Sequence, residues 1–587
     1  MLRKHRTDYP VLGVLLGAVV GLAAALLVSV GSANAQGAAM CNGLPVTILG
    51  TSGDDDLVGT AGDDVVSLLD GDDTLDTGAG NDTVCDGAGG FTIDTGAGAD
   101  TIITGPSKEG FWSTLKSGDG DDMVHVTVDT TLGAGIESGP GQDFIEVLGS
   151  GAVQVHGGGG SDLIFALEEN WSAPQLIDGG FGDDQIFGWD IRGSGGDDHL
   201  TLIGAGGVAH GGGGDDRITG TDGTDVIRGG DGNDRIIARG GDDVVKSENG
   251  DDFVNGGAGN DQLEGGRGND VLKGGTGEDR LLGEDGDDTV KGGAGKDNLI
   301  GGLGLDRLYG GSGNDAVTDR DDGAEMRGGK GADNLVLLIE DVESSIKAGP
   351  GSDSIVAVGS MVEVHGDGGP DEIRVQLENS SVYGDAGHDL VIYRAMGRGL
   401  SFFLGSGDDQ IVDYPGVRHR SGIEASGGPG DDFLMGTTLD DTLKGNSGRD
   451  FLDGRPGNDS VDGGKDSDSV AGGLGRDVVT GGGDTDYCLF GHFDLVDIDD
   501  PEGIITWEGP PDRGDTGNCE ETWGETGYWI YRRDSLWNFE AGNLSYEARK
   551  IGVNVYGLEA DVQPADSNPA DRNVSEPTKP AGHALAE

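Results

Sequence analysis

An aliphatic residue returns at every ninth position through the middle of the chain, and almost everything between is glycine or charged. The series runs Ile218, Ile227, Ile236, Val245, Val254, Leu263, Leu272, Leu281, Val290, Leu299, Leu308 and Val317. Two units show the frame: Gly256-Gly-Ala-Gly-Asn-Asp-Gln-Leu-Glu264, then Gly265-Gly-Arg-Gly-Asn-Asp-Val-Leu-Lys273. Counting each nonapeptide from its first glycine, position 4 is Gly, position 6 is Asp and position 8 is the aliphatic residue, from Gly211 to Thr318 without a gained or lost residue. Glycines at positions 1, 2 and 4 allow positive φ and a tight turn. The last three residues are long enough only for a short strand, with position 8 on one side and positions 7 and 9 on the other. One unit cannot bury its single apolar side chain, whereas stacked units bury a continuous ladder between two thin sheets.

The aspartates of this central run are Asp216, Asp225, Asp234, Asp243, Asp252, Asp261, Asp270, Asp279, Asp288, Asp297, Asp306 and Asp315. The same frame holds in 50–103, with Asp55, Asp64, Asp73, Asp82 and Asp100. There Phe91 takes one position 6, so the sites beside it are expected to be weak or absent. It holds again in 427–489, with Asp432, Asp441, Asp450, Asp459, Asp468, Asp477 and Asp486. Between these runs the frame loosens. In 104–210 units centre on Asp122, Asp143, Asp162, Asp184 and Asp198, and in 319–426 on Asp333, Asp353, Asp371, Asp389 and Asp409. In the second stretch the spacing is 18 to 20, about two nonapeptides, which implies that every second unit lost its Gly and Asp and kept its strand. Ser360–His365 alternates as a half-exposed strand does. One edge of the stack would then keep its carboxylates and the other would not.

The pattern G-G-x-G-x-D-x-U-x, with U a large aliphatic residue, resembles the RTX (haemolysin-type) calcium-binding repeat. The resemblance implies an all-β fold, a right-handed parallel β-roll or β-solenoid in which two nonapeptides make one turn. It also implies calcium ions between turns, held by position 6 carboxylates and glycine-turn carbonyls, with Asp216 beside Asp234 and Asp225 beside Asp243. The 24 aspartates of the three regular runs are the candidate metal ligands. Calcium takes 6 to 8 oxygen ligands in loose geometry, which suits carboxylates and carbonyls.

Composition sharpens this. The chain carries 38 Lys and Arg against 107 Asp and Glu, a net charge of −69, and 119 of its 587 residues are Gly. Such acidity argues against nucleic acid, whose binding rests on cationic side chains. It fits a chain that needs cations to neutralise itself. Extracellular calcium modules bind at roughly 10⁻⁴ to 10⁻³ M, so folding is expected outside the cell and not in submicromolar calcium.

Residues 1–35 read as a secretory signal peptide: Arg3, Lys4 and Arg6, an apolar run from Val11 to Val30, and Ala33-Asn34-Ala35 as a cleavage site before Gln36. An uncleaved anchor is the alternative, since 20 apolar residues can span a bilayer. RTX proteins commonly carry a C-terminal export signal instead, so here the chain departs from the family pattern. Residues 36–49 read as an N-terminal cap and 490–558, with Trp507, Trp523, Trp529 and Trp537, as a C-terminal cap. Residues 559–587, rich in Pro, Ala, Asp and Glu, read as a disordered tail. Four cysteines in an exported chain suggest two disulfides, and proximity favours Cys41 with Cys85 and Cys488 with Cys519.

No H-E-x-x-H, G-x-S-x-G or phosphate-loop motif occurs. The sequence therefore reads as a secreted, non-enzymatic surface, matrix or adhesion protein, with calcium ions as ligands and an extracellular polysaccharide or cell-surface component as candidate partner. No membrane contact is expected after signal cleavage. The alternative is a polysaccharide-active enzyme of lyase or epimerase type, with Trp112, Trp171 and Trp189 lining an irregular face. About 440 repeat residues at 18 per turn predict roughly 24 turns and a rod on the order of 115 Å long.

Overall fold

The computed structural model describes residues 39–489 apart from 107–111, 129–132, 150, 167–174, 321, 395–397, 415–418 and 484–485, together with four short strands beyond. The signal segment, the tail and most of the C-terminal cap lie outside the described residues, as does Trp171.

Through most of the central run a nonapeptide yields six strand residues, from Val226–Asp231 to Asn298–Leu303, rather than the three its spacing suggests. Gln262–Arg267 runs from position 7 of one unit through position 3 of the next. The glycine end remains extended because its backbone stays in the ladder: Gly266 pairs with Glu248 on one side and Glu284 on the other. Successive strands alternate between two parallel sheets, and in the regular runs each pairs with the strands 18 residues before and after it, as Gln262 does with Val244 and Arg280. Each sheet holds 25 strands. The first begins at Ile48–Leu49 and the second at Asp56–Val58. The ladders continue past residue 489 through Thr516–Asn518 and Glu521–Thr522. The described residues contain no helix. The chain divides into two compact units; one holds this solenoid, and in the other Ile504–Thr506 pairs antiparallel with Tyr528–Ile530.

The aliphatic series forms the core. Every position 8 residue from Ile218 to Val317 is buried, and the row continues through Ile102, Val124, Ile145 and Ile164 on one side and Leu335, Ile355 and Ile373 on the other. Sheet spacing makes each member touch its neighbours one turn away, so the core is a column. Burial of one such side chain contributes about 1.5–3 kcal/mol. Leu272, fully buried, is a suitable probe. Leu272→Ala is expected to lower stability by about 2–5 kcal/mol, read as an earlier denaturant midpoint at fixed saturating calcium.

At the start of the solenoid Cys41 and Cys85, 44 positions apart in sequence, are joined by a disulfide. It ties the short antiparallel pair Met40–Cys41 and Leu44–Pro45 to the strand Thr83–Asp86 of the first sheet. On the loop-entropy account such a closure contributes about 4 kcal/mol. The other expected pair, Cys488 with Cys519, lies outside the described side chains.

Candidate metal centre

The position 6 aspartates stand at the entrance to each strand, and stacking at 18 residues per turn sorts them into two columns, one along each edge. The column before the first sheet holds Asp64, Asp82, Asp100, Asp216, Asp234, Asp252, Asp270, Asp288 and Asp306, and after a break Asp441, Asp459 and Asp477. The column before the second sheet holds Asp55 and Asp73, and after a break Asp225, Asp243, Asp261, Asp279, Asp297, Asp315, Asp432, Asp450, Asp468 and Asp486. Within a column every step is alike. The backbone N–H of Asp216 donates to Oδ1 of Asp234 at 2.9 Å, and that of Asp234 to Oδ1 of Asp252 at 2.7 Å.

The two irregular regions fill the spaces between the regular runs, and they do so on opposite edges. Asp122, Asp143, Asp162, Asp184 and Asp198 bridge Asp100 to Asp216 in the first column. Asp333, Asp353, Asp371, Asp389 and Asp409 bridge Asp315 to Asp432 in the second. These ten aspartates fall outside the regular frame, so a search for regular units omits them. The signal that finds them is the 14 to 23 residue spacing of a full turn. In the second column the break is filled by Phe91, Ser113, Ala134, Val153, Gln175, Trp189 and Gly207. In the first it is filled by Ala324, Ser344, Val362, Ser380, Leu400 and Ile423.

The second carboxylate oxygens decide the chemistry. Oδ2 is buried and has no hydrogen-bond partner at Asp73, Asp82, Asp100, Asp216, Asp234 and Asp243, and so on along both columns. An unpaired buried carboxylate oxygen is costly. Position 1 shows where these oxygens converge. A Cβ added at Gly211 would lie 2.1 Å from Oδ2 of Asp216 and 2.5 Å from the carbonyl oxygen of Gly229, one turn on. In the central run position 1 is therefore kept small, glycine in every unit but those of Ala238 and Ser247, by this crowding and not by positive φ as the sequence suggests. Positive φ belongs to positions 2 and 4, as at Gly257 (+111°) and Gly259 (+135°). A row of carboxylate and carbonyl oxygens, with no soft donor among them, fits a hard cation that tolerates high and variable coordination, which is calcium.

Electrostatics agree. Burial pushes the Asp234 carboxyl up to about 8 against the help of the Asp216 N–H, and the like charges of Asp216 and Asp252 add to it. Asp288 and Asp459 are driven to about 8 in the same way, and Asp243 and Asp270 to about 7. Left without a cation, these groups can be charged in the fold only against burial and the like charges of their neighbours.

Four aspartates are exceptions, and each opens a run of its column. Oδ2 of Asp55, Asp64, Asp225 and Asp441 accepts the backbone N–H of Thr51, Thr60, Thr221 and Thr437 at 2.5, 2.7, 2.7 and 2.6 Å. The threonine stands at position 2, so a Gly-Thr start in place of Gly-Gly marks the first carboxylate of a run. With no aspartate in the preceding turn, a neutral donor satisfies the oxygen instead.

The RTX calcium-binding nonapeptide repeat (4 copies) matches the chain at residues 49–84, 147–170, 210–245, 247–281, 282–317, 365–395, 426–461 and 462–491. Among curated proteins the chain has no match. The matched stretches span the second and third regular runs, reach residue 84 of the first, and touch both irregular regions. The chain thus carries RTX calcium-binding nonapeptide repeats on a parallel β-solenoid, and calcium ions, in multiple copies, are the ligand of those repeats.

Proposed function

We propose that the protein is exported through the signal at residues 1–35, folds as a calcium-filled rod outside the cell, and serves there as a non-enzymatic surface, matrix or adhesion element. The single observation that carries the reading is the pair of columns of buried carboxylates whose Oδ2 atoms lack partners. A fold so short of positive charge suits a compartment where calcium is abundant. In this reading the 24 aspartates of the regular runs are calcium ligands, and so are the ten that bridge them. The Cys41–Cys85 disulfide supports an oxidising location.

The absence of catalytic motifs supports a structural role. The Trp112 ring lies over Gly133 and Gly135, where an added Cβ would meet it, and is 45% exposed, as Trp189 is 42% exposed. A polysaccharide or a cell-surface component remains the proposed partner. Export into the medium with an N-terminus at Gln36, found by intact-mass and terminal-peptide analysis, is the expected result, together with unchanged chain lengths for a panel of acidic polysaccharides. A product retained in the membrane fraction with Met1 intact would defeat the export reading. Depolymerised or epimerised polysaccharide would replace the structural reading with the enzymatic one.

A further inference from the structure

Where each column breaks off, a carboxylate appears in a new place. The last aspartate before the break in the second column is Asp73, and Phe91 stands where the next should be. In the first column the last is Asp306, and Ala324 follows. Both terminal aspartates lose the carboxylate that their N–H would bond, and both turn to a backbone carbonyl: Asp73 N–H to Gly90 at 2.9 Å and Asp306 N–H to Gly323 at 3.2 Å. In both units position 1 is aspartate instead of glycine: Asp86 in the unit of Phe91 and Asp319 in the unit of Ala324.

These aspartates face inward, where apolar residues otherwise stand. Through the breaks, position 1 is held by Val126, Val147 and Ala166, and by Leu337, Ala357 and Val375, all in the core. Asp86 is completely buried, and neither of its oxygens has a hydrogen-bond partner among the described residues. In a unit that starts with glycine, the Oδ2 of the position 6 aspartate crowds position 1, as at Gly229, where a Cβ would lie 2.1 Å from Asp234. In the unit of Asp86 that aspartate is replaced by Phe91, so the carboxylate of position 1 has no position 6 carboxylate beside it in its own unit. A third position 1 aspartate shows what such a group requires. Asp413, in the unit of Ile423, is neutralised by Arg455, Nη1 to Oδ2 at 2.8 Å, with His419 Nε2 at 3.2 Å. No cationic side chain pairs with Asp86 among the described residues.

We propose that Asp86 supplies from position 1 the carboxylate that Phe91 withholds at position 6, and that with Asp73 it holds a calcium ion closing the run. The inference rests on calcium binding by the regular repeats and adds a residue that the repeat pattern does not contain. It also reverses the expectation that the site beside Phe91 is weak or absent.

The test is hydrogen exchange by mass spectrometry on the full-length mature chain, titrated with calcium from chelator. Peptides covering 68–95 report the site, and peptides covering 256–273 report regular repeats in the same molecule. Asp86→Asn keeps shape and removes charge, and is expected to raise the calcium midpoint for protection of 68–95 tenfold or more without moving that of 256–273. Asp86→Gly with Phe91→Asp, which rebuilds a regular unit, is expected to restore it. An unchanged or lower midpoint in Asp86→Asn, the result for a protonated structural carboxyl, overturns the proposal. Calcium-indifferent exchange in 256–273 would instead overturn the calcium reading on which it rests. Should Asp86→Asn leave 68–95 unprotected at every calcium concentration, Asp86→Gly, which places at position 1 the residue most regular units carry there, decides by the same midpoint.

Discussion

Stripped of calcium at neutral pH, the solenoid is expected to collapse to coil, and to return cooperatively as calcium approaches millimolar. Far-UV circular dichroism of residues 36–587 after chelator treatment measures this directly. The size of the effect follows from the spacing. Successive carboxylates in a column are one turn apart, about 4.8 Å, and two unit charges at that distance repel by about 3 kcal/mol at an effective dielectric of 20. That repulsion recurs at each step of both columns, while each nonapeptide of the central run buries only one large aliphatic side chain. The apolar ladder cannot offset it, and only a cation between the charges changes its sign. Each occupied site at ten times its dissociation constant adds about 1.4 kcal/mol, and the sites act together because each carboxylate neighbours two turns.

Magnesium is expected to fail as a substitute. It demands near-ideal octahedral geometry and gives up its water reluctantly, whereas the donors here are spaced by the rise of the sheet. A chain equally β-rich in excess chelator would mean that the columns are not folding ligands.

Much of this is legible in the sequence because the repeat is a geometric statement. A nine-residue period with one aliphatic residue fixes the two-sheet stack, and the invariant Asp fixes the edges. What stayed hidden depends on contacts between turns. The strands of the central run are mostly six residues long because positions 1 to 3 remain paired to neighbours 18 residues away, as Gly266 is to Glu248 and Glu284. The glycine of position 1 answers to the carboxylate of its own unit, as Gly211 does to Asp216, which no single-unit reading shows. The loss of one edge per irregular region was readable from the spacing of Asp333 to Asp409. That the two regions lose opposite edges was not, since insertions such as the one between Asp162 and Asp184 conceal which turn each aspartate occupies. Asp86 was invisible for a similar reason: against the repeat it reads as a missing glycine, and its meaning appears only beside Phe91 and Asp73.

Acid is expected to do part of the work of calcium. In the calcium-free fold Asp234, Asp288, Asp371, Asp432 and Asp459 are pushed up to about 8, first by burial and then by the like charges one turn away, against a lowering backbone N–H. In the unfolded chain the same groups titrate near 3.9. Between those values the folded chain holds protons that the unfolded chain releases, so folding is favoured as pH falls. The stabilising contribution is complete below about pH 4 and is lost as pH rises through about 8. In excess chelator, coil at pH 8 is therefore expected to regain β structure as the pH is lowered to 5, still above the isoelectric point of about 4.1. With saturating calcium the spectrum should change little over that range, so the two curves converge at the acid end. A chelated chain that stays coil throughout would show that neutralising the columns is not enough and that the calcium ion is needed as a bridge between turns. Convergence would show the reverse: the charge of the columns holds the fold open, and proton or calcium ion closes it by removing that charge.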